Sequence, residues 1–104
     1  MSKTIKAAFM FIAPDGDPEQ HQGWVSTPGI AVKTLAVSSY QQACETLEPL
    51  IAEGIEAVEL CGGFGHQGVA AITRAAGGRL HIGVVRFDQH PLLNFNSGDT
   101  LTAQ

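Results

Sequence analysis

The run Glu59-Leu60-Cys61-Gly62-Gly63-Phe64-Gly65-His66-Gln67-Gly68 holds four glycines, a cysteine and a histidine. It lies where an apolar stretch gives way to a pattern of helical spacing. Glycine is used where the backbone turns sharply or approaches another group closely, and the amino end of a helix binds anions. The run therefore predicts a strand, a tight turn and a helix, with a binding site at the turn.

Four stretches around and within this region are typical of strands. Residues 7–13 form a continuous apolar run, and residues 30–37 are rich in β-branched side chains. Residues 55–60 lead into the glycine run, and residues 80–87 form a last apolar stretch. The polar stretch 19–29 is read as a loop or a short edge strand.

Two helices are predicted between these strands. Ser39 with Gln42 has the spacing of a capping box, and apolar residues then recur at helical spacing as far as residue 51. Pro49 predicts a kink in this helix or a break after Glu48, because proline removes a backbone donor. A shorter helix is predicted over residues 67–76.

The predicted order is β-β-α-β-α-β, an α/β fold in which strands and helices alternate. This alternation predicts a mostly parallel four-stranded sheet with right-handed crossovers and two helices. Residues 1–88 would form a single domain, and residues 89–104 a C-terminal tail that is frayed or packs on a partner subunit. Since two helices cannot cover both faces of an apolar sheet, we expect a homo-oligomer.

Composition narrows the classes of function. A chain of 104 residues forms one domain, and its charged content of 15% is low. The formal net charge of −4 and the scattered basic residues argue against nucleic acid and anionic membranes as partners. No apolar run has the length of a membrane span or a secretory signal, and two cysteines form no disulfide framework. We therefore expect a cytoplasmic protein.

The predicted topology brings several polar residues to one edge of the sheet. Ligands of open α/β sheets bind beyond the carboxyl ends of the parallel strands. Asp15 follows the first strand, the segment 61–66 follows the third, and Arg86 and Asp88 follow the last. A small anionic molecule is the ligand that this set of residues favours.

The run from Gly63 to Gly68 matches the G-x-G-x-x-G pattern of dinucleotide-binding folds, and Asp88 stands 20 residues later. The chain is too short for both halves of such a fold, so no cofactor is expected. A smaller anion would instead be held by the backbone N–H groups of Gly62, Gly63 and Gly65 together with Arg86. The alternative is that the glycines serve only a tight strand-to-helix turn, in a non-catalytic interaction module.

A second function is cysteine-dependent catalysis. Cys61 stands shortly before a helix, where the helix dipole favours the reactive thiolate, and His66 or else His90 would be its base. Burial of Cys61 as a small apolar side chain is the alternative. Arg86 would either contact the ligand or form a structural ion pair with Glu59 or Asp88. No pair of residues has recognised metal-ligand spacing, so no metal is expected.

Four stretches together resemble a known family: Phe11-Ile12-Ala13-Pro14 with Asp17-Pro18 after it, Val37-Ser38-Ser39-Tyr40, the run Glu59–Gly65, and Gly83-Val84-Val85-Arg86. They are similar to short bacterial proteins known only as a domain of unknown function. The resemblance covers most of residues 8 to 88, and Glu-Leu-Cys-Gly-Gly-Phe-Gly is its most specific part. It implies one compact domain and carries no catalytic residue.

Overall fold

The computed structural model describes residues 4–102 and, of these, the side chains as far as Thr100. It is a small α/β domain with five strands, three α-helices and one 3₁₀ turn. The strands are β1 (Ile5–Ile12), β2 (Gln22–Ser26), β3 (Ile30–Val37), β4 (Ala57–Leu60) and β5 (His81–Val84). The helices are α1 (Tyr40–Ala52), α2 (His66–Ala76) and α3 (Gly98–Thr102), with the 3₁₀ turn at Pro91–Leu93.

The five strands form one mixed sheet in the order β2-β3-β1-β4-β5. β1 lies at the centre and runs parallel to β3, with Ile5 opposite Ile30 and Ile12 opposite Val37. It also runs parallel to β4, which in turn pairs with β5 in parallel. The prediction of an α/β fold with a mostly parallel sheet is confirmed.

The predicted counts of four strands and two helices and the predicted order are wrong, because β2 is a fifth strand and α3 a third α-helix. β2 runs antiparallel to β3 at the edge of the sheet, with Trp24 opposite Lys33. All five of its residues are exposed, so it shows none of the apolar alternation by which half-buried strands are recognised. Backbone pairing holds it in place, and of the two predictions for residues 19–29 the short edge strand is the correct one.

Both long helices lie on the same face of the sheet. Each helix belongs to a crossover between parallel strands: α1 joins β3 to β4, and α2 joins β4 to β5. Both crossovers advance in the same direction across the strand order. Right-handed crossovers in one direction place their helices on one side. The core forms there, where Met10 and Leu60 of the sheet meet Leu47 of α1 and Ile72 of α2.

The amino end of α1 follows the predicted cap. Ser39 Oγ accepts a hydrogen bond from the backbone N–H of Gln42 at 3.0 Å, and the Gln42 side chain accepts one from the N–H of Ser38 at 2.7 Å. The predicted break after Glu48 is wrong, since α1 runs through Pro49 to Ala52. Pro49 stands in the last turn and is exposed, so its ring meets little packing there.

The segment after β5 folds back on the same chain. The 3₁₀ turn is capped by the His90 side chain, which accepts a hydrogen bond from the backbone N–H of Leu92 at 3.1 Å. Asn94 and Phe95 then take positive φ angles of 56° and 61°, and α3 begins at Gly98. Within residues 4–102 no helix combines the length and apolar character needed to cross a membrane.

Candidate functional site

The loop from Cys61 to Gly65 joins β4 to α2 in a tight turn. The backbone N–H of Phe64 donates to the carbonyl oxygen of Cys61 at 3.1 Å, which closes the turn. Phe64 itself is buried and stacks on the Tyr40 ring, with ring centroids 5.7 Å apart. Gly65 then stands at the N-cap of α2, where it offers no side chain to the first N–H groups of the helix.

The carboxylate of Asp99 takes the place of the missing cap. Its Oδ2 accepts a hydrogen bond from the backbone N–H of Gln67 at 3.0 Å, and its Oδ1 accepts one from Gly68 at 3.4 Å. Tyr40 Oη donates to Asp99 Oδ1 at 2.8 Å and accepts from the N–H of Gly65 at 3.0 Å. A carboxylate at the amino end of a helix is favoured both by these donors and by the helix dipole.

This arrangement changes the interpretation of the glycine run. The Asp99 carboxylate occupies the amino end of α2 through the N–H groups of Gln67 and Gly68, not through the glycines predicted as donors. Of the donors assigned to a ligand, Gly65 bonds Tyr40 and Gly63 bonds the Cys61 sulfur at 3.2 Å. A Cβ atom at Gly65 would overlap Asp99, so glycine at this position lets α3 approach closely. Asp99 had no signal in the sequence, because its role depends on a contact with residues 31 and 32 positions away.

A cleft of about 180 Å³ opens beside the loop, between the start of α2 and the end of β5. We call it the α2–β5 cleft, and it combines apolar walls with a charged rim. Its lining residues are Phe64, Gly65, His66, Val69, Val84, Val85, Arg86, Phe87 and Asp88. Three residues predicted from strand and loop ends, His66, Arg86 and Asp88, thus lie together.

The rim of the cleft is a three-residue charge cluster. Arg86 donates from Nε to Asp88 Oδ1 at 3.0 Å and from Nη2 to Asp88 Oδ2 at 3.2 Å. His66 Nε2 lies 3.1 Å from Asp88 Oδ1. The hydrogen bonds from Arg86, and then the one from His66, hold the pKa of the Asp88 carboxyl below its ordinary value. The same hydrogen bond and the charge of Asp88 raise the pKa of Arg86.

Cys61 lies half-buried at the end of β4, against the edge of the core. Its sulfur accepts the Gly63 N–H, and among the described residues no histidine hydrogen-bonds it. His66, the predicted base, is instead directed to Asp88. Cys44, on α1, is also partly buried and donates to the Ala71 carbonyl oxygen at 3.7 Å, and burial raises its pKa.

Three predicted ligand residues do not line the cleft: Asp15, Gly62 and Gly63. Asp15 lines a separate depression beyond the end of β1, together with Phe11 and His21. Gly62 lies beneath the Phe87 and His90 rings, which would overlap a Cβ atom placed on it. Four of the predicted site residues are therefore neighbours in the structure, namely Arg86, Asp88, Gly65 and His66. Asp15 lies apart from them.

A larger cavity, of about 490 Å³, lies between α1 and the β2–β3 edge of the sheet. It contains Lys33, which is only 9% exposed and which the sequence marks as the one charge in its strand. Lys33 Nζ donates to both carboxylate oxygens of Glu53 at 2.9 Å and lies 5.9 Å from the Trp24 ring centroid. Glu53 balances the charge of Lys33 much as Asp88 balances that of Arg86, but none of the residues predicted for the ligand site lines this cavity.

No group of three or more metal-binding side chains occurs among the residues described. The α2–β5 cleft therefore remains the place where polar groups, apolar walls and the predicted residues converge. Its chemistry is that of recognition: a guanidinium, a carboxylate and an imidazole at the rim, with aliphatic and aromatic side chains behind them.

Comparison with known proteins assigns the chain to a family. It belongs to the family of unknown function DUF6506, whose model matches residues 5–100. The match confirms the resemblance seen in the sequence and extends past β5 to include Asp99. No curated protein and no solved structure matches the chain.

Proposed function

We propose that this protein binds a small anionic molecule in the α2–β5 cleft, with Arg86 as the residue that holds the anionic group. The observation that carries the proposal is the position of Arg86 at the rim of an apolar cleft that also contains His66. Arginine binds carboxylates and phosphates through paired N–H groups, which gives it geometric specificity. The ligand would place its charge at this rim.

The walls of the cleft favour a ligand with an apolar part. Val84 is 49% exposed and Val85 and Phe87 are each 41% exposed, which is high for side chains of this kind. They face the cleft with Val69 of α2. Because binding sites for small molecules are largely apolar with a few placed polar groups, a short aliphatic or aromatic acid suits them better than inorganic phosphate. The volume of about 180 Å³ limits the ligand to a small metabolite.

Arg86 retains capacity to bind while it is paired with Asp88. Its Nε and Nη2 groups are engaged by Asp88, and no described residue accepts from Nη1. A ligand carboxylate would accept from Nη1 or exchange with Asp88, whose exposed side chain can turn toward solvent. Asp88 and His66 therefore act in the proposal as residues that orient Arg86.

Cysteine-dependent catalysis is the weaker alternative. A nucleophilic cysteine needs a base within hydrogen-bond reach, and His66 is bonded to Asp88 instead. The Gly63 N–H that reaches the Cys61 sulfur is a normal feature of the turn. We therefore assign the glycine run a structural part, in which it shapes one wall of the cleft.

We also propose that the protein is cytoplasmic and self-associates. Cys44 and Cys61 are free thiols, which suits a reducing compartment. This self-association does not depend on the ligand.

A thermal-shift screen against small carboxylic and phosphorylated metabolites tests the ligand proposal. A molecule that binds the folded state raises the Tm in a concentration-dependent way. We expect a hit to raise the Tm of the native protein and of Arg74→Ala, an exposed arginine on α2 outside the cleft. The same hit should leave the Tm of Arg86→Ala nearly unchanged. An equal shift in Arg86→Ala would show that the ligand binds elsewhere, and the absence of any hit among small acids would contradict the proposal.

A further inference from the structure

The face of the sheet opposite the helices is left open by the fold. Side chains alternate along each strand, so this face carries Phe9 and Phe11 of β1, Val32 of β3, Val25 of β2 and Ala57 of β4. Val25 is 73% exposed, and none of the described helices packs on this side. We call this surface the open face.

An uncovered face of this kind is unusual for parallel strands. Parallel sheets are normally covered on both faces, because their strands are apolar on both sides. The amino end of the β1–β3 pair shows the same pattern, since Ile5 and Ile30 lie opposite each other there and are 52% and 47% exposed. Large exposed apolar patches of this kind mark interaction surfaces.

The strands place two ionisable side chains on the open face. Glu59 of β4 stands between Phe9 and Gly83, is exposed, and has its Cγ 3.8 Å from the position of a Cβ atom on Gly83, so it lies beside the edge strand β5. His81 of β5 is the other one. Thr34 is exposed near the middle of the face, opposite Phe9, and is uncharged.

The size of the open face matches what a specific interface needs. With strands about 4.8 Å apart and about 3.3 Å per residue, five strands of up to eight residues present roughly 500 Å². Two such faces in contact would cover roughly 1,000 Å², which is where specific protein interfaces begin. The partner must itself be flat, apolar and about as wide as this sheet.

We infer that the open face is the interface of a homodimer, in which two sheets pack face to face. A second copy of the chain has the required flat apolar surface, and a two-fold axis brings the same patch of each copy together. Two stacked sheets lie about 10 Å apart with their side chains interleaved. The helices of both copies then lie on the outside, and the α2–β5 clefts stay open to solvent because they are on the helix side.

A matched pair of threonine substitutions tests this interface by sedimentation velocity at micromolar concentration. Thr34→Arg places a charge near the centre of the open face, whereas Thr73→Arg places the same charge on an exposed position of α2. The native protein and Thr73→Arg should sediment as dimers. Thr34→Arg should sediment as a monomer, with dimerisation weakened about 100-fold or more by the buried unpaired charge.

Far-UV circular dichroism checks that each variant is folded. If Thr34→Arg does not fold, Val25→Lys serves the same purpose, because Val25 lies on the exposed edge strand β2 and contributes nothing to the core. A native protein that is monomeric at these concentrations overturns the inference. A folded Thr34→Arg or Val25→Lys that dimerises as tightly as the native protein also overturns it.

Discussion

The Asp99 carboxylate completes helix α2 from a distant part of the chain. It accepts hydrogen bonds from Gln67 and Gly68, the positions that an N-cap side chain would serve if Gly65 had one. The prediction of an anion at this helix end was chemically sound, because unpaired N–H groups there need acceptors. The anion at this helix end is a side chain of the same chain, Asp99, so the helix does not need a free ligand there.

Replacing Asp99 with alanine should lower the free energy of unfolding by about 1–2 kcal/mol, the usual cost of losing a helix cap. The loss includes the hydrogen bond from Tyr40 Oη as well as those from α2. Urea denaturation measures it. Thr100→Ala is the control, since Thr100 is exposed and follows Asp99 directly in α3. Equal stability of Asp99→Ala and the native protein would mean that α3 is not seated on α2 in solution.

The charge cluster at the cleft rim makes a prediction about pH. Arg86 and His66 lower the pKa of Asp88 in the folded state, so Asp88 stays ionised to lower pH than an ordinary carboxyl. A lowered pKa stabilises the fold above the unfolded value of about 3.9, and this contribution is lost as the pH falls through the folded value. Arg86→Gln should therefore move the Asp88 pKa upward.

Carbon-13 NMR of the side-chain carboxyl group follows the titration of Asp88 directly. Arg74→Gln removes a comparable positive charge from α2 without touching Asp88, and its titration should match that of the native protein. If Arg86→Gln titrates like the native protein, Arg86 is not bonded to Asp88 in solution.

At the scale of elements, the two long helices approach each other through a glycine. Gly68 lies in the first turn of α2, and a Cβ atom on it would stand 2.5 Å from two atoms of the Tyr40 ring in α1. The ring is buried, stacks on Phe64 and is hydrogen-bonded at its hydroxyl, so it cannot move aside cheaply. A larger residue at position 68 would push α1 and α2 apart.

Gly68→Ala should therefore destabilise the protein by up to about 2 kcal/mol. Alanine favours a helix over glycine by about 1 kcal/mol, but overpacking costs about 1–3 kcal/mol and exceeds that gain. Gly29→Ala is the matched control, because no atom lies within 4 Å of its Cβ position, and it should stay within about 0.5 kcal/mol of the native protein. A Gly68→Ala variant that is more stable than the native protein would show that the Tyr40 ring moves aside at little cost.

Helices and buried strands could be predicted from the sequence because their patterns are local. The cap at Ser39 and the stop of α2 at Gly77, with φ of 59°, follow from neighbouring residues alone. The helix break predicted from Pro49 was wrong because the effect of a proline on a helix depends on its position. Pro49 lies in the last turn of α1 and on its exposed side. The sequence left β2 open between a loop and a short edge strand, because its stability comes from backbone pairing with β3, which leaves no side-chain pattern.

The same distinction explains the candidate site. His66, Arg86 and Asp88 come together because the carboxyl ends of β4 and β5 are neighbours, and this follows from the order of elements. Asp15 follows β1 but belongs to a loop that leads away to β2, so it lines another depression. Asp99 could not be predicted, since its place depends on how the last segment returns over the finished sheet.

At the scale of the whole molecule, the direction of the crossovers determines which face of the sheet the helices cover. Both crossovers advance from β3 toward β5, so handedness puts α1 and α2 on one side and leaves the other bare. The sequence could show that two helices are too few to cover two faces. It could not show that both helices lie on the same face, because that depends on the strand order.

The distance along the chain between α2 and its cap sets an order of events during synthesis. Chains emerge from the ribosome amino end first, so β1 to α2 are available before Asp99 has been made. Until then the first turn of α2 has its N–H groups uncapped, and Tyr40 lacks one of its partners. The closing of α3 over this turn thus follows the synthesis of β1 to α2, and the domain reaches full stability only after Asp99 has been made.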